Sequence, residues 1–96
     1  MPSVNFTVKW PNGEQVQYYS PSTVIYDYLA IGTSYSTAQF LEQAENGLYA
    51  ASERVRARYG FACSSAIDSL ANIKRQAKLL ALKSEDPIQI TEMSNE

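Results

Sequence analysis

The chain has 96 residues, 45% of them hydrophobic and 19% charged, with a net charge of -2. That suffices for one modest core, is too short for two, and is too apolar for intrinsic disorder. One cysteine and no histidine exclude an internal disulfide, Ser-His-Asp and Cys-His catalysis, and the usual zinc, copper and haem ligand sets, so no metal or cofactor is expected.

Val4, Phe6, Val8 and Trp10 alternate with Asn5, Thr7 and Lys9, the period of a strand with one buried face. Pro11-Asn12-Gly13 then supplies a preset φ, a residue tolerant of turns and a glycine free to take positive φ, which predicts a short hairpin loop with a bulge. The return strand, Glu14 to Tyr19, places Val16 and Tyr18 on one face and Gln15, Gln17 and Tyr19 on the other. A two-stranded hairpin is marginal alone, so its apolar side needs a cover.

Ser20-Pro21-Ser22-Thr23 offers capping hydroxyls and a proline suited to a first helical turn. A short helix there would point Ile25, Tyr28 and Leu29 inward, but the β-branched and aromatic residues from Thr23 to Tyr28 fit a strand as well, and both readings stay open. Residues 31–35 break the element. From Ser36 or Thr37, Leu41, Ala44, Leu48, Ala51 and Val55 make a single helical stripe that ends near Gly60, behind a basic last turn. After Phe61-Ala62-Cys63 a second stripe runs through Ala66, Leu70, Ile73, Ala77 and Leu80, and the two predict an antiparallel helical hairpin.

Beyond Lys83, Ile88 and Ile90 alternate with polar residues in an acidic setting, either an added edge strand or a frayed tail. The expectation is therefore an α+β fold. An N-terminal β-hairpin packs on a long antiparallel helical hairpin, with a short helix between them in one reading and a third edge strand from the C-terminal segment in another. Residues 1–83 form a single globular domain and 84–96 an acidic tail or edge strand.

Charge is unevenly spread. Residues 1–50 carry -3, residues 51–83 carry +5 (Arg54, Arg56, Arg58, Lys74, Arg75, Lys78 and Lys83 against Glu53 and Asp68), and residues 84–96 carry -4. A basic middle between acidic ends suits ion pairing within the molecule or with a protein partner better than nucleic-acid binding. No apolar run approaches the roughly 18 residues of a membrane span, and Met-Pro-Ser-Val-Asn-Phe lacks the pattern of a signal peptide, so a cytoplasmic protein with no membrane partner is expected.

Three groups of side chains are candidates for function. Cys63, early in the second helix and near arginines, is a weak candidate nucleophile, since such a setting lowers a thiol pKa; with no base or resolving thiol it reads equally as a small buried hydrophobe. Arg54 and Arg58 share a helix face and Arg56 lies about 200° away. The hairpin should bring Arg54 to Asp68 as an ion pair, and Glu53, five residues before Arg58, leaves Arg56 and Arg58 freer to bind an anion or an acidic partner. Tyr19, Tyr26, Tyr28 and Tyr35 belong to a tyrosine-rich fifth of the chain suited to a half-wet interface, with the uncovered edge of the β-hairpin involved.

Phe6-Thr-Val-Lys-Trp-Pro-Asn-Gly13, Tyr19-Ser-Pro-Ser22 and above all Ala51-Ser-Glu-Arg-Val-Arg-Ala-Arg-Tyr-Gly-Phe61, followed by Cys63-Ser64, resemble a small bacterial family named for a nitrogen-starvation response. The resemblance covers about residues 4–75 and leaves out the C-terminal segment. It implies genes clustered with a nitrilase, a radical SAM protein, an acetyltransferase and a flavoprotein, and a role in nitrogen or nitrile metabolism, without implying an activity or catalytic residue. The function expected is that of a cytosolic, non-catalytic accessory protein. It would bind a protein of the same pathway, or its own copies, through the tyrosine-rich surface and basic helix, with no nucleic acid, membrane or metal. The alternative is a small thiol-dependent or anion-binding enzyme using Cys63 with Arg54 or Arg58.

Overall fold

A computed structural model of the chain describes residues 3–61 and 64–95. β1 (Val4–Lys9) and β2 (Gln15–Ser20) form the predicted antiparallel hairpin, with Val4 opposite Ser20 and Lys9 opposite Gln15. Its turn is closed by Gly13 N–H donating to Trp10 C=O and Trp10 N–H donating to Glu14 C=O, both at 2.8 Å, with Gly13 at φ 91°. Val4, Phe6, Val8 and Trp10 are all buried, as their alternation requires.

The segment left open between helix and strand is a 3-10 helix, Thr23–Asp27, capped by the Ser22 hydroxyl accepting from Val24 N–H. The Ser20 hydroxyl also donates to Ser22 C=O at 2.8 Å. These buried hydroxyls take the main-chain groups a strand ladder would need, and so tip Thr23–Asp27 towards the tight turn. Ile25 and Leu29 are buried and Tyr28 is half-buried.

β3 (Ser34–Ser36) precedes α1 (Thr37–Tyr59). Ser36 closes a capping box with Gln39: its hydroxyl accepts from Gln39 N–H at 3.2 Å, and Gln39 Oε1 accepts from Ser36 N–H at 3.4 Å. Ser36→Ala should lower stability by about 1 kcal/mol, read from urea denaturation, because it orphans a first-turn N–H. Ala44, Leu48, Ala51 and Val55 are buried as the stripe predicts, and Leu41 is half-buried. Phe40 joins them, its ring edge-on to Trp10 at 5.9 Å. α1 stops at Gly60, whose φ of 84° lets its N–H reach Arg56 C=O at 2.8 Å.

α2 (Ser64–Leu79) buries Ala66, Ser69, Leu70, Ile73 and Ala77, and Leu80 sits half-buried just past its end. The Ser69 hydroxyl donates to Tyr19 C=O at 2.7 Å and Gln76 Nε2 donates to Glu14 Oε2 at 3.0 Å, so α2 runs antiparallel to β2. Its partner α1 packs on β3 and β4. Both helices therefore lie on one face of the sheet, and the face bearing Lys9, Gln15, Gln17 and Gln89 stays open.

The C-terminal segment is β4 (Pro87–Asn95), and the strand order is β2-β1-β4-β3. It is not a frayed tail. β4 is antiparallel to β1 from Gln89 to Asn95, while Pro87 to Gln89 pair with β3, so β4 lies between those two strands rather than at the edge of the sheet. A bulge opposite Thr7 and Val8 shifts the register, and Ile88 and Ile90 are fully buried beside β1.

Candidate functional site

The tyrosine-rich segment docks on α1 at Gly47. A Cβ at that position would stand 2.6 Å from Ile25 Cδ1 and 3.1 and 3.2 Å from Tyr28 Cβ and Cγ, so only a residue without a side chain lets the 3-10 helix lie this close. Residues seven and eleven positions on return to the same side of a helix. Arg54 and Arg58, both exposed, therefore continue the side that carries Tyr28, roughly 10 and 16 Å further along the axis. Tyr26 is 42% exposed on the same short helix and its hydroxyl donates to Asn95 Oδ1 at 2.8 Å.

The structure thus brings Tyr26 and Tyr28 to the side of α1 that bears Arg54 and Arg58, and leaves the other candidates elsewhere. Arg56 is on the far side, where it pairs with Glu53 at 3.5 Å. The i,i+3 spacing from Glu53 brings the two side chains together, so Arg56 is less free than expected. Both side chains remain well exposed, which makes the pair a weak one.

The expected pair between Arg54 and Asp68 does not form. Asp68 lies about 200° around α2 from buried Ala66 and so points away from α1. The ion pair that does cross between the helices is Glu45 with Lys74 at 2.9 Å, and the hydrogen bond that Lys74 Nζ donates to Glu45 Oε1 raises the Lys74 pKa. Tyr35 is half-buried at β3, its hydroxyl accepting from Ala30 N–H at 3.0 Å. Tyr19 is half-buried on the open face of the sheet. Tyr18 is in the core against Phe6, where burial raises its pKa.

Sequence reasoning missed the two aromatics around the helix stop. Tyr59 is 49% and Phe61 70% exposed, and the Arg58 guanidinium carbon sits 6.0 Å from the Tyr59 ring centroid, within cation-π range. Large rings flanking a Gly60 that ends a helix were the available signal, since such rings have no core to enter. Cys63 lies outside the described residues.

A second feature is a hollow of about 200 Å³ lined by Lys9, Trp10, Pro11, Pro87 and Gln89. Trp10 Nε1 is buried with no hydrogen-bond partner among the described residues, and its nearness to the Tyr18 hydroxyl only partly opposes the rise that burial gives that phenol's pKa. Lys9 is the sole ionisable side chain in that lining, which gives it no acid-base pair. Among the described residues no helix is long and apolar enough to cross a membrane, and no group of three acidic or cysteine side chains could hold a metal.

No curated protein and no solved structure matches the chain. A family model described as nitrogen starvation-induced protein NitG matches residues 5–93, further than the resemblance read from the sequence, because it includes most of β4.

Proposed function

The chain belongs to the nitrogen starvation-induced NitG family, and from that premise we propose that it is a non-catalytic accessory protein of the starvation response that docks on an acidic surface of another protein. The observation that carries this reading is the side of α1 where Gly47 seats Tyr28 and the exposed Arg54 and Arg58 follow, neither of them joined to a carboxylate among the described residues. Arginine and tyrosine are the side chains that most often anchor interfaces. The guanidinium fork fits a carboxylate, and the phenol ring covers apolar area with few rotors to fix.

The partner is a cytoplasmic protein of the same response. The nitrilase, radical SAM protein, acetyltransferase and flavoprotein expected from the family resemblance are the first baits. Replacing Arg54 and Arg58 together with Gln should weaken capture of the true bait at least roughly tenfold. The melting temperature should move by no more than about 3 °C, because exposed substitutions change stability little. Arg56→Gln, on the far side of α1, is the control and should matter less. Undiminished binding by the double variant sinks the proposal.

A further inference from the structure

β2 is one edge of the sheet, and nothing in Gln15–Ser20 defends it: the strand holds no charge, proline or bulge, the usual devices against pairing with a second strand. Its outward-facing main-chain groups are identified in two ways. Trp10 N–H bonds Glu14 C=O, and alternation along an antiparallel ladder then turns Gln15, Gln17 and Tyr19 away from β1. Independently, Tyr19 C=O accepts the Ser69 hydroxyl from outside the strand pair.

α2 runs beside this edge. Ser69 and Gln76 reach β2, Lys74 reaches α1, and Ala66, Leu70, Ile73 and Ala77 face the core. At about 100° per residue, Asn72 and then Leu79 lie nearest the side of α2 that turns towards the edge, while Asp68 and Arg75 stand next to them on its solvent side, away from the sheet. Asp68 and Arg75 are exposed and join no ion pair among the described residues, and Leu79 is 72% exposed.

We propose that two copies of the chain pair through this edge, β2 meeting β2 antiparallel about a two-fold axis at Gln17, with the two α2 helices lying antiparallel alongside. Gln17 then opposes its own copy and Gln15 opposes Tyr19, whose carbonyl keeps a lone pair for the ladder beside the Ser69 bond. Ser69 sits level with Tyr19 and Gln76 with Glu14, so the axis passes near Asn72. Asp68, four residues before Asn72, then faces Arg75 of the second copy, three residues after it. Symmetry makes two such pairs.

The charge pattern selects a second copy as the occupant. The strand is neutral and meets itself without repulsion. α2 bears its aspartate before Asn72 and Arg75 after it, so an antiparallel twin sets opposite signs together.

Sedimentation equilibrium on the full chain should give a mass approaching twice 10.7 kDa as concentration rises. Asp68→Lys should raise the dimer Kd at least roughly tenfold, because two attractions become two repulsions, and adding Arg75→Asp should restore it. Gln17→Pro removes an outward N–H that β1 does not use, and should give a monomer with an unchanged far-ultraviolet spectrum. If that variant fails to fold, the charge-swap pair decides alone. A chain that stays monomeric, or a dimer indifferent to Asp68→Lys, overturns the proposal. Replacing Arg54 and Arg58 with Gln should leave the dimer intact, which separates this test from that of the docking face.

Discussion

Cutting the chain after Lys83 should abolish its cooperative thermal transition. The truncated chain loses β4, and with it the strand that pairs β1 from Val4 to Lys9. Ile88 and Ile90, both fully buried, leave the core; truncating one such isoleucine to alanine typically costs about 2–5 kcal/mol. Two together reach roughly 4–10 kcal/mol, comparable to the whole stability of a small domain. The ladder groups of β1 that faced β4 also lose their partners and have only water in exchange. Ile90→Ala tests the same point more gently and should lower stability by about 2–5 kcal/mol in a urea titration. A truncated chain that still melts cooperatively near the parent temperature would mean that β4 does not support the core.

Gly47→Leu should cost about 3 kcal/mol. A leucine gains roughly 0.8 kcal/mol of helix propensity over glycine, but its Cβ alone would overlap Ile25 Cδ1 and crowd Tyr28 Cβ and Cγ. Ile25 is fully buried and has nowhere to swing, and Tyr28 Cβ moves only with its backbone. Overpacking therefore wins, and the 3-10 helix must lift from α1. The lift should also break the bond from the Tyr26 hydroxyl to Asn95 and carry both tyrosines off the docking face. Loss of stability should thus come with a changed tyrosine signal in near-ultraviolet circular dichroism and weaker bait capture. A variant as stable as the parent would show that the contact at Gly47 is loose.

Much of the fold was legible because the longer elements carry a full period of apolar residues. Val4 to Trp10 shows four alternations and α1 a stripe over four turns, while Gly13 and Gly60 mark the two stops. β3 was missed because three residues, Ser34 to Ser36, are too few to display a period, and they are a strand only through pairing with β4. The place of β4 was equally hidden. Alternation at Ile88 and Ile90 announces a strand, but nothing local says that it enters between β1 and β3.

For the docking face, the sequence separated Arg54 and Arg58 from Arg56 by helix geometry alone. It could not show that their shared side is the one the 3-10 helix occupies, because that depends on a Gly47 contact between segments about 20 residues apart. Asp68 was misassigned for a related reason: level along a helical hairpin was weighed without rotation about the axis.

The insertion of β4 between strands made earlier sets an order of events during synthesis. The helical hairpin has sequence-local contacts and can form as soon as α2 emerges, whereas β1 waits for residues up to Asn95, its partner opposite Val4. Until then the nascent chain holds a hairpin of strands with one ladder edge bare, the state most open to misassociation. Yield should therefore depend on how quickly Pro87–Asn95 follows the helices out of the ribosome, and on chaperones that shield β1 in the interval.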